Sequence, residues 1–151
     1  MASLSFNQNN SIIQYERLKA DYNNLLRNPL SVELATSCAI KSWHLTDYVF
    51  EEYKAVHGFQ KLGDFRASLS CPSLNIMHDI ATESKHFVVS RPKSDLADTK
   101  IHDGDFSPTD FSSEFDVSRL ELVMNNGTRL AFVEELEKSV NFWQNYLKKL
   151  K

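Results

Sequence analysis

His44 and Asp47 stand three residues apart, with Tyr48 one place further, inside the run Trp43-His44-Leu45-Thr46-Asp47-Tyr48. On a helix this spacing makes them neighbours on one flank, where an imidazole can hydrogen-bond a carboxylate. A second polar motif, His78-Asp79-Ile80-Ala81-Thr82-Glu83-Ser84-Lys85-His86, sets Asp79 and His86 seven residues apart. That is about 20° short of two full helical turns, with Glu83 between them on the same side. His78 and Lys85 form a parallel pair one residue earlier. Such groups are costly to enclose unless they pair, bind a ligand or move protons, so their place beside apolar helix faces marks the candidate site. Two helices lying side by side would let His44, Asp47, Asp79 and His86 converge in the cleft between them.

Three chemistries can use that set. Two imidazoles and two carboxylates suffice for a divalent metal, but the His-Glu-x-x-His and Glu-x-x-His spacings that place ligands on one face are missing, so no metal or cofactor is expected. In an acid–base reading His86 acts on a phosphodiester, Lys85 stabilises the developing negative charge, and His44, oriented by Asp47, supplies the second proton-transfer group. In a structural reading His44 bonds Asp47 or a backbone carbonyl, Asp79 bridges helices, and His86 complements the dipole at the end of its own helix. Residue types and spacing alone leave these readings open.

The elements that must hold these residues follow from periodicity. Ile12, Tyr15, Leu18, Tyr22, Leu25 and Leu26 mark one stripe of a helix over about 11–27 that Asn28-Pro29 ends. That dipeptide or Ser31 can cap a longer helix running to about His57, with Gly58 as its stop. On this helix Ala35, Cys38, Leu45, Val49, Tyr53 and Val56 share a face that Ala39, Trp43 and Phe50 widen, broad enough for more than one neighbour. A short helical piece around 64–69 follows. Ser70-Cys71-Pro72 then opens a helix reaching Lys85 or His86, with Leu74, Met77, Ile80, Ala81 and Phe87 inward.

Beyond His86 the pattern changes. Phe87-Val88-Val89 can begin a strand, and residues 94–116 read as a long acidic surface loop, in which His102-Asp103-Gly104-Asp105 is a solvated turn. That stretch holds one Lys against six Asp and one Glu, a formal charge of −6 within a chain of −3, which leaves +3 on the remainder. A strand over 117–124 leads to Asn126-Gly127, a two-residue hairpin signal, and 129–132 return. Val133, Leu136, Val140, Trp143, Leu147 and Leu150 then mark the last helix, a stripe too short for a self-sufficient zipper and better suited to core packing. Dimerisation through it, with Trp143 and Tyr146 as anchors, stays open.

With 151 residues, 42% apolar and 25% charged, the chain suits one domain over 11–151, carrying the inserted acidic loop (94–116) and the β-hairpin (117–132) behind a flexible 1–10. The fold class expected is α+β: a mainly antiparallel helical bundle with a small β-hairpin before the C-terminal helix. A net charge of −3 gives no global attraction to nucleic acid, so RNA is a partner that the charge does not support. No apolar run reaches the roughly 20 residues of a membrane span and the start lacks a secretory pattern, which points to the cytoplasm and away from membranes. Cys38 on an apolar face and Cys71 before Pro72 read as reduced thiols.

Trp43-His44-Leu45-x-Asp47, Cys71-Pro72-x-Leu74 and Asp79-Ile80-Ala81-x-x-x-Lys85-His86-Phe87 together resemble segments of small uncharacterised bacterial helical proteins, over roughly residues 30–90. The architecture is also loosely similar to HEPN-type helical bundles, whose active members are dimeric, metal-independent ribonucleases of toxin and defence systems. Their active pattern, an Arg followed after four to six residues by His, is missing here: no Arg in this sequence has a His at that interval. The resemblance therefore implies a fold and not an activity. The expectation is a binding or regulatory module whose polar cluster faces a protein or small ligand, with the ribonuclease as the alternative.

Overall fold

The computed structural model describes residues 10–86, 91–105, 107 and 116–150. The expected flexible start, the strand at Phe87-Val88-Val89 and most of 106–115 lie outside the described residues, as does the His86 side chain. The fold is α+β, with helices α1 (Ser11–Arg27), α2 (Val32–Glu52), α3 (Lys54–His57), α4 (Leu62–Ala67), α5 (Pro72–His86) and α6 (Phe132–Lys149). Strands β1 (Leu96–His102), β2 (Arg119–Met124) and β3 (Arg129–Ala131) form an antiparallel sheet ordered β1-β2-β3, before α6.

Local chemistry sets the helix limits. Asn10 accepts hydrogen bonds from the Ile12 and Ile13 amides at the start of α1, and Ser31 Oγ accepts from the Leu34 amide at the start of α2. These caps satisfy amides that a helix leaves without an internal partner. The long second helix expected to reach His57 breaks instead at Tyr53. There His57 Nε2 lies 2.9 Å from the Phe50 carbonyl oxygen and its Nδ1 accepts from the Phe59 amide, while the ring stacks on Phe50. Gly58, at φ 77°, then ends α3 in the left-handed region.

α2 is the central element, packed against α1, α5 and α6, and α6 also meets β2 and β3. The core runs through Leu18, Leu25, Cys38, Leu45, Val49, Phe65, Leu74, Met77, Leu122, Leu136, Val140 and Trp143. Trp143 is fully buried and donates its indole N–H to the Ser42 carbonyl at 2.9 Å, tying α6 to α2. The apolar stripe of α6 is thus spent inside its own molecule. A zipper would need it free.

A further expectation is corrected. The stretch 94–116 is not a loop throughout: 96–102 form β1, paired along β2 from Leu96↔Met124 to His102↔Arg119 with an irregularity between Leu96 and Asp98. The β-hairpin β2–β3 is consequently two strands of a three-stranded sheet whose central strand is β2. Its turn is also longer than two residues, for Asn125 and Asn126 span the bend and Gly127 takes φ 86°. The Gly127 amide donates to the Met124 carbonyl, and the Met124 amide to that of Thr128. A bend closed by a left-handed glycine suits the sheet's twist.

Candidate functional site

α2 presents its polar motif half inward and half outward. Trp43 and Thr46 are buried, whereas His44 and Asp47, on the adjoining flank, are exposed. α5 packs along α2 as the convergence of the motifs requires. The Trp43 and His78 rings meet edge to face, with centroids 4.7 Å apart.

Asp79 is the most enclosed charge of the motif, at 4% exposure. His78 Nδ1 lies 2.7 Å from Oδ1, which also accepts the Lys93 amide at 2.9 Å. Oδ2 accepts the Ser94 amide at 3.0 Å and the Ser94 hydroxyl at 2.6 Å. Burial alone would raise the Asp79 carboxyl, but these bonds, led by the Ser94 hydroxyl, outweigh it and hold the pKa below the ordinary 3.8. Asp79 therefore bridges α5 to the segment entering β1, and not α5 to α2. A carboxylate held by four donors is a poor proton carrier and a good latch.

The latch has a consequence for the Trp43 ring. With its backbone tied to Asp79, Lys93 places Nζ over the indole at 5.7 Å, and the Arg66 guanidinium lies over the same ring at 4.6 Å. Arg66 in turn donates from Nε to Thr46 Oγ1 at 2.9 Å and from Nη2 to Asp47 at 3.0 Å. Thus α4, which carries Arg66, orients the carboxylate that the spacing had assigned to His44. Between His44 and Asp47 there is no hydrogen bond. Arg66, Thr46, Lys93 and Ser94 are the partners that sequence reasoning missed; the one signal that could have found part of the set is the position of Thr46, three residues after Trp43 on the broad apolar face of α2.

His44 borders an open concavity of about 590 Å³ with Asp47, Tyr48, Glu51 and Glu52, all from α2. Tyr48 is half-buried. Glu83 and Lys85 are exposed on α5, and His78 is held between Asp79 and Thr82 Oγ1. The structure links Asp47 and Asp79 to the Trp43 ring through Arg66 and His78, and leaves His44 and Lys85 outside that contact network. Burial pushes the Cys38 thiol up to about 12, against nucleophilic use. Among the described residues no three His, Cys, Asp or Glu side chains are grouped as a metal would need.

No protein-family model, curated protein or solved structure matches this chain. The chemistry of the site must be read from its own geometry. Among the described residues, no helix is long and apolar enough to cross a membrane.

Proposed function

We propose that this chain is a binding or regulatory module of the cytoplasm, whose partner surface is the outer flank of α2 at His44 and Asp47 together with Arg66 and Lys93. The observation that carries this reading is the Asp79 latch. It fixes Lys93 over Trp43, so cations and a carboxylate stand pre-arranged around one aromatic ring at low ordering cost to a partner. The complementary ligand is polar, with an acidic group for Lys93 and a hydrogen-bond donor for the α2 carboxylates.

The ribonuclease reading is less well supported, because Asp47 serves Arg66 and Asp79 serves the backbone at 93–94. RNA turnover with EDTA present is expected to be absent in the wild-type chain and unchanged in Lys85→Ala. Metal-independent cleavage that Lys85→Ala removes would reinstate the enzyme.

The binding reading is tested by quantitative capture from cell extract with wild type, His44→Ala and Asp47→Ala side by side. Loss of the same bound species in both variants, without loss of folding, is expected. A capture profile that survives both substitutions would assign the flank to the fold alone.

A further inference from the structure

Among the described residues the sheet ends on an open edge. β1 pairs with β2 on one side, and among the described residues nothing pairs with its other side. An uncovered strand edge is a template for another strand unless it is blocked. The Thr99 amide donates to Asp98 Oδ1 at 2.9 Å, a bond within its own strand that an incoming carbonyl can replace.

Beside this edge lies an apolar groove of about 280 Å³ between the sheet and α2, α5 and α6. Its lining includes Val32 and Ile101, which are 53% and 49% exposed. Thr99 and Ile101 pair with Leu122 and Leu120, so they share the sheet face turned toward the helices. Asp98, Lys100 and His102 occupy the outer face.

We propose that β1 pairs antiparallel with β1 of a second copy of this chain, about a two-fold axis through Thr99. The charge pattern selects this occupant. With Thr99 opposite Thr99, Asp98 of each copy faces Lys100 of the other, two opposite-charge pairs directly across the strands. Moving the axis by one residue puts Lys100 opposite Lys100, or Asp98 opposite Asp98, and like charges so placed repel. A surface that is complementary to itself in one register and repulsive in the neighbouring ones is what a two-fold interface requires. Lys100 would then stand between its own Glu121, 3.6 Å away and fully buried, and Asp98 of the second copy. On the other face Thr99 meets Thr99 at the axis, and each exposed Ile101 stands two residues from it, across from Ala97 of the second copy. The irregularity in β1 lies between Leu96 and Asp98, outside the three central pairs.

The test is the mass of the full chain in solution by sedimentation equilibrium at about 100 μM, well above a micromolar Kd. The wild-type chain is expected to be a dimer. Asp98→Lys sets Lys opposite Lys at both pairs and is expected to give a monomer with unchanged helical circular dichroism. Thr99→Pro, which removes an edge amide outside the β1–β2 ladder, is the second variant and is expected to give the same result. A wild-type monomer at that concentration overturns the proposal, and so does a dimer that persists in Asp98→Lys. His44→Ala and Asp47→Ala lie on a different surface and leave the mass unchanged, so failure here is separate from failure of the binding reading.

Discussion

Asp79 shows how one carboxylate can look catalytic in a sequence and act as a fastener in a fold. Its spacing to His86 was legible on a helical wheel; its four donors were not, since three of them come from Lys93 and Ser94, beyond the end of α5. The same holds for Asp47, whose partner Arg66 lies 19 residues away on a helix of six residues. Removing the Asp79 carboxylate strands its donors, and Asp79→Ala is expected to cost about 2–3 kcal/mol, read by urea denaturation. The acid limb follows from the sign of the shift. Because the folded-state pKa lies below the ordinary 3.8, the ionised group stabilises the fold above that value, and the contribution is lost as pH falls through the folded pKa. Stability measured from pH 5 downward should therefore fall less steeply in Asp79→Asn than in the wild-type chain; equal slopes would show that Asp79 does not govern the acid limb.

At the scale of elements, helices were legible and the outer strand was not. α1, the start of α2, and α5 follow from stripes such as Leu18, Tyr22 and Leu25, because a helix burying one face must repeat its apolar residues every three or four positions. β1 has no such constraint. Leu96–His102 is an edge strand whose middle residues are exposed on both faces, so nothing forces an alternation, and its Asp and Lys read as loop. What holds it is register with β2 and a close approach at its end, where a side chain on Gly104 would meet the Asp116 carbonyl oxygen at 2.2 Å. His102 also bonds Asp116, at 2.7 Å, and the Gly104 amide donates to Ser118 Oγ. Gly104→Ala should force these backbones apart at a cost of about 1–3 kcal/mol. Hydrogen exchange at the β1 amides is the readout, with faster exchange expected there and unchanged protection in α2.

For the whole molecule, α2 is both the centre of the core and the carrier of the candidate surface. Its inward face meets α1, α4, α5 and α6, and Trp143 locks it to α6, so Trp143→Ala is expected to cost about 3–5 kcal/mol and to be read by urea denaturation. On its outward flank His44 makes no hydrogen bond among the described residues, while Asp47 holds Arg66 of α4. The polar cluster thus divides into an inner half that holds the fold, Asp79 with His78 and Ser94, and an exposed outer half, His44 and Asp47, to which the proposed binding role is assigned. Thermal unfolding of Asp79→Ala and His44→Ala beside the wild-type chain tests this division most directly. Asp79→Ala should lower Tm by about 5–10 °C, while His44→Ala, an exposed change with no hydrogen bond to lose among the described residues, should stay within about 2 °C. A His44→Ala chain that melts as early as Asp79→Ala would contradict the division and return the whole cluster to the fold.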